Sequence, residues 1–188
     1  MSYDLYCYRA ASGVPDAGEA QAFIEATNDA EEAGELKATS SGAKERIVSA
    51  LIQYNPRLEP FTFDYAKIAE FQKISEEEAR ARNQHVELNP PDGDLVIQLT
   101  VDDDRVFISI PYWYKGSQAD DVFPQLSGYL RVIAETSGLL AYDPQTGVAF
   151  DPRQTNLSDH TCYDKVVADL PKLATQTKSL PKPWWKFW

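Results

Sequence analysis

The chain has 188 residues, 43 % apolar and 25 % charged, which suits one domain with a full hydrophobic core and leaves little room for two. Its formal net charge of -11, from 18 basic and 29 acidic side chains, repels phosphate backbones and speaks against nucleic acid as a partner. The same charge favours encounter with a basic protein, and no run approaches the roughly 18 apolar residues that a membrane span needs.

The opening "MSYDLYCYRA" lacks the basic start and apolar stretch of a targeting signal, so a cytoplasmic protein is expected. It reads as a strand over residues 2–9, with Tyr3, Leu5 and Cys7 alternating with Asp4, Tyr6 and Tyr8. Both sets carry bulk, which predicts cover on both faces. Gly13 and Pro15 break the strand. A helix from about Asp16 places Ala22, Phe23 and Ala26 on one face, and the polar stretch "NDAEEAGELKATSSG" (28–42) predicts a loop or a partly ordered insertion.

Helical spacing returns over 43–55 through Ile47, Leu51 and Tyr54, until Pro56 stops it. A further helix covers about Asp64 to Phe71, with Asp64 as N-cap. Ser75 and Glu78 then form a capping-box pattern, which puts Glu76, Glu77 and Glu78 in a first turn where the helix dipole favours negative charge.

The middle of the chain, "HVELNPPDGDLVIQLTVDDDRVFISIPYWY", predicts three antiparallel strands. Leu95, Ile97, Leu99 and Val101 point one way and Val96, Gln98 and Thr100 the other; alternation resumes with Val106, Ile108, Ile110 and Tyr112. Asp102, Asp103 and Asp104 fall at the hairpin turn, where aspartate tolerates positive φ. An EF-hand calcium loop would need a glycine and a distal glutamate that are missing here.

Residues 118–136 carry the clearest helical stripe, from Ala119 and Val122 to Leu130 and Ile133, and Pro124 points to a start close to Asp121. "LLAYDPQTGVAFDP" predicts a second hairpin, with Pro144 presetting the turn and Gly147 free to take positive φ. A last helix over about Asp159 to Ala174 precedes the tail "PKPWWKFW" (181–188). The expected fold is α+β: a mainly antiparallel sheet of about five or six strands with helices packed mostly on one face. It forms a single domain over 1–180 with the tail docked on it.

That tail holds Trp184, Trp185 and Trp188, three of the four tryptophans. From Leu170 onward there are four lysines and no acidic residue, so the rest of the chain is more negative still. Pro181 and Pro183 forbid a helix through the tail, and the acidic body opposes an anionic bilayer. Docking on the domain is therefore expected ahead of capture by a partner or anchoring in a membrane.

Motifs for chemistry are absent from the sequence. It has no nucleophile elbow, phosphate-binding glycine loop or zinc-ligand spacing, and histidine is limited to His85 and His160. His160 and Cys162 lie two apart without a recognisable orienting group, and Cys7 is too distant from Cys162 to suggest a secreted disulfide framework. No cofactor and no metal is expected. A carboxylate-dependent hydrolase stays open, because 29 acidic side chains bring some pair within reach in any fold.

Aromatic residues are more informative. "PYWY" (111–114) turns at least one ring away from the core, and exposed Tyr and Trp anchor protein interfaces. The candidate partner-binding set is Asp102, Asp103, Asp104, Asp120 and Asp121 for steering, with Tyr112, Trp113, Tyr114, Trp184, Trp185 and Trp188 as anchors.

Three blocks together carry a resemblance: "MSYDLYCYR", "ARNQHVELNPPDGDLVIQLTVDDDRVFISIPYWY" and "GLLAYDPQTG". They are similar to small bacterial conserved-hypothetical and immunity-like proteins that begin MSYDLY and carry a YDPQ turn. The resemblance spans most of the chain in short blocks, none with a catalytic role. It implies a bacterial cytosolic protein that neutralises a toxin by binding it. The leading expectation is thus a non-enzymatic protein-binding protein, an immunity-type inhibitor of a basic toxin acting by charge-complementary occlusion. Its alternatives are a small carboxylate-dependent hydrolase and peripheral membrane association through the tail.

Overall fold

The computed structural model describes residues 2–33, 42–91, 94–114, 117–155 and 163–164. The fold is α+β, with a seven-stranded, wholly antiparallel sheet among these residues. Strand β1 (Ser2–Tyr8) is central, paired on one side with β5 (Val106–Pro111) and on the other with β6 (Leu140–Asp143). Beyond β5 come β4 (Gln98–Val101), β3 (Val86–Asn89) and the two-residue edge β2 (Glu59–Pro60). The other margin is β7 (Val148–Phe150), joined to β6 through a turn in which Gly147 takes the expected positive φ of 70°.

The β4–β5 turn follows a different route from the one expected. None of its three aspartates takes positive φ; the Asp102 N–H bonds the Arg105 carbonyl at 3.0 Å and closes a four-residue loop that needs no left-handed residue.

Alternation along the strands splits the sheet into two faces. Leu5, Cys7, Leu99, Val101, Ile108 and Ile110 are buried on one of them, beneath α2 (Ala43–Tyr54) and α5 (Ser117–Ser137). Ile47 and Leu51 come from α2, and Val122, Leu126, Leu130 and Ile133 from α5, all at helical spacing. Each such side chain contributes about 1.5–3 kcal/mol on burial. The two helices meet at Gly128, where an added Cβ would lie 2.6 Å from Tyr54 Cζ.

The first helix, α1 (Ala17–Ala33), packs on the opposite face, over Tyr8, Leu140 and Tyr142. Asp16 Oδ1 accepts the Glu19 N–H at 2.7 Å and caps it. Helix continues through 28–33, where the sequence predicts a loop; the remainder of that stretch up to Ser41 lies outside the described residues. The buried stripe is Ala20, Phe23 and Ile24, while Ala22 and Ala26 face solvent. The bulky pair Phe23 and Ile24 takes the seat on the sheet because larger rings and chains bury more apolar area than alanine.

Short helices α3 (Tyr65–Gln72) and α4 (Glu76–Arg82) bury Ile68, Ala69 and Ala79 against each other, beside the sheet edge at β2. Asp64 caps α3 by accepting the Lys67 N–H at 3.2 Å, and Ser75 caps α4 through the Glu78 N–H at 3.0 Å. Glu78 pairs with Arg82 one turn on. Helix α5 begins at Ser117, so the start expected near Asp121 is four residues late. Pro124 lies on the exposed side of its early turns, where the ring does not intrude on the core. The predicted last helix, apart from residues 163–164, and the whole 181–188 tail lie outside the described residues.

Candidate functional site

The sequence-predicted partner set divides into side chains engaged in the fold and side chains presented to solvent. Asp103 Oδ1 accepts the N–H groups of Ala43 and Lys44 at 3.2 and 3.3 Å, which caps α2, and Asp102 Oδ2 holds Arg105 Nε at 3.0 Å. Asp104 is half-buried in the same turn. At the far end of β5, Tyr114 is buried with its hydroxyl on the Val96 N–H, and Tyr112 stacks on Tyr163 at 5.6 Å. Trp113, in contrast, is 65 % exposed. Asp120 and Asp121 are exposed on the first turns of α5. Trp113, Asp120 and Asp121 thus share one end of the molecule, and Asp102–Asp104 lie a β5 length away, about 20 Å for six residues. Trp184, Trp185 and Trp188 lie outside the described residues, as do His160 and Cys162.

Tyr163, which no sequence signal singles out, is buried. It donates its hydroxyl to the Pro111 carbonyl at 2.8 Å and packs on Tyr3 and Phe123, and burial pushes its pKa up to about 12.

A more continuous surface is the second face of the sheet. The described helices bury their apolar sides elsewhere: α2 and α5 on the core face, α1 on Tyr8, Leu140 and Tyr142, and α3 with α4 on each other. What remains is a half-buried band across β3, β4, β5 and β1. Register sets Glu87, Thr100, Phe107 and Tyr6 in one transverse row, and Gln98, Ser109 and Asp4 in the next. Tyr6 and Phe107 pack at 5.0 Å, and Gln98 Nε2 donates to Glu87 Oε2 at 3.2 Å.

Asp4 ends its row on β1, at the margin of this band. Burial raises its carboxyl pKa above the ordinary value of 3.8, while the Ser2 and Ser109 hydroxyls pull it down. Asp4 Oδ1 is buried without a hydrogen-bond partner among the described residues. A desolvated carboxylate of this kind gains more from an incoming cation than a solvated one does.

Two adjoining clefts, of about 540 and 490 Å³, lie at the β2 margin and share Thr62, Phe63, Tyr65 and Arg80. Phe61 meets Phe63 at 5.3 Å, Phe63 meets Tyr65 at 5.9 Å and His85 at 5.0 Å, and the Arg80 guanidinium sits 4.4 Å from the Tyr65 ring centre. The alternation of rings in "EPFTFDY" was the available signal for this platform. Asp4 lines neither cleft, so the perturbed carboxyl and the concave surface are separate features.

Elsewhere the chemistry is quiet. Burial pushes the Cys7 thiol up to about 12, which removes it as a nucleophile near neutral pH. Among the described residues no three His, Cys, Asp or Glu side chains gather in a metal-binding arrangement, and no helix is long and apolar enough to cross a membrane. No protein-family model, curated protein or solved structure matches the chain.

Proposed function

We propose that the protein is a non-enzymatic binding protein that occludes a basic protein partner, in the manner of an immunity protein neutralising a toxin in the cytoplasm. The observation that carries this reading is the half-buried band that ends at Asp4. It combines an aromatic pair, Tyr6 and Phe107, with carboxylates at Asp4 and Glu87 on the part of the second sheet face that lies beyond the seat of α1. Rings of this kind supply binding energy and the net charge of -11 supplies steering. A lysine or arginine brought against this band would meet carboxylates at Glu87 and at Asp4, the latter partly desolvated by burial.

The test is capture of partners by the full chain and by a Tyr6→Ala/Phe107→Ala variant, at low and high salt. Co-expression of each captured protein with and without the chain then reads neutralisation as growth. A basic partner that is weakened by salt, lost with the variant and toxic when expressed alone supports the proposal. Capture of no basic protein, or capture indifferent to the variant, refutes it.

A further inference from the structure

We propose that the cleft at the β2 margin binds a small planar aromatic anion, with its ring against Phe61, Phe63 and Tyr65 and its carboxylate or phosphate among Lys44, Arg80 and His85. Charge carries the inference first. Acids outnumber bases 29 to 18 along the chain, yet the residues lining the larger cleft include Lys44, Arg80 and His85 and no aspartate or glutamate. Such a local reversal attracts an anion to a molecule that otherwise repels one.

The cations retain capacity to donate. Lys44 Nζ gives one bond to the Gln84 carbonyl at 2.6 Å and has three donors in all. Arg80 meets its nearest carboxylate, Glu76, only at 3.9 Å, beyond hydrogen-bond range, and the Tyr65 ring orients its plane. His85 Nε2 lies 3.5 Å from Glu87 Oε1, outside short hydrogen-bond range, and keeps its ring at the cleft wall.

Ring geometry carries the second half. Phe61 and Phe63 follow β2 and Tyr65 opens α3, and the three rings meet in sequence, edge to face and then tilted, so they form a continuous apolar wall. Phe61 is 48 % exposed, a large ring offered to solvent at the cleft mouth. The cleft, of about 540 Å³, is shallow and broadly open to solvent, so a flat ring lying against its wall suits it better than a bulky ligand. The adjoining cleft is bounded by Asp64 and Glu76, so the ligand's charge is directed to the Lys44 and His85 end.

The test is titration of the full chain with adenosine 5′-monophosphate, indole-3-acetate and phenyl phosphate, each beside its neutral counterpart (adenosine, indole-3-acetamide, phenol). Amide NMR shifts and calorimetry supply the readouts. The expected result is binding of at least one anion with Kd below about 1 mM, at least about tenfold tighter than its neutral counterpart, with shifts confined to residues 43–45, 60–66 and 80–86. Arg80→Gln weakens that binding about tenfold or more while its amide spectrum stays folded, and Glu135→Gln, on the exposed side of α5, leaves binding unchanged. Equal affinity for neutral and charged ligands, shifts elsewhere, or no binding of any anion by about 5 mM overturns the proposal.

Discussion

The Asp103 carboxylate caps a helix that begins sixty residues earlier in the chain, accepting the N–H groups of Ala43 and Lys44. The residue in the capping position of α2 is Gly42, which has no side chain to offer, so the turn between β4 and β5 supplies the acceptor instead. A carboxylate there also faces the positive end of the helix dipole. Asp103→Ala should therefore destabilise the protein by about 1 kcal/mol, and Asp103→Asn by clearly less, in urea unfolding. Equal losses from the two substitutions would count against the cap.

Gly128 makes a sharper prediction, one of sign. An alanine there gains about 1 kcal/mol of helix propensity but drives its Cβ into the Tyr54 ring, which also packs edge-on against Tyr129 at 5.8 Å. Gly128→Ala alone should lower the unfolding midpoint. In a Tyr54→Ala background the same change should raise it. Thermal melts of the four proteins in this cycle decide the matter, and additivity would mean that the close approach of α2 and α5 is not what selects glycine.

Asp4 sets a pH dependence. Because burial lifts its folded pKa above 3.8, the folded state keeps a proton that the unfolded chain releases. Stability contributed here is full below 3.8, falls as pH rises to the folded value, and stays reduced at neutral pH. Asp4→Asn should thus raise the melting temperature near pH 7 and lose that advantage as pH falls to about 4, followed by circular dichroism. An equal gain at both pH values would show that the carboxyl's ionisation is not the cause. The same substitution should weaken a basic partner, which makes Asp4 a site where stability and binding oppose each other.

The strands β3, β4 and β5 were legible in the sequence because Leu99, Val101, Ile108 and Ile110 alternate with polar residues, and period two admits little else. Helix α5 was legible for the corresponding reason. The seat of α1 was not: its alanines offer several weak stripes, and only the position of Tyr8 and Leu140 selects Phe23 and Ile24. Asp103 satisfied hairpin chemistry on its own, so nothing local pointed to α2. The cleft was hidden for a different reason, since Lys44, Arg80 and His85 come from three separate elements or their flanks and meet Phe61 only through tertiary packing. For Asp4, alternation gave its face, but its burial depends on Ser109 across the strand pair.

The sheet's two margins are unequal, and this limits how the molecule can polymerise. Fibrous growth by strand addition requires every unit to offer a free ladder on both sides. On one side β2 is two residues long and contains Pro60, which has no N–H to give. Among the described residues the other margin is β7, a three-residue strand without proline in which Val148 is 51 % exposed. Two copies joined along β7 would leave the short, proline-bearing β2 facing outward at each end, a margin that opposes further strand addition.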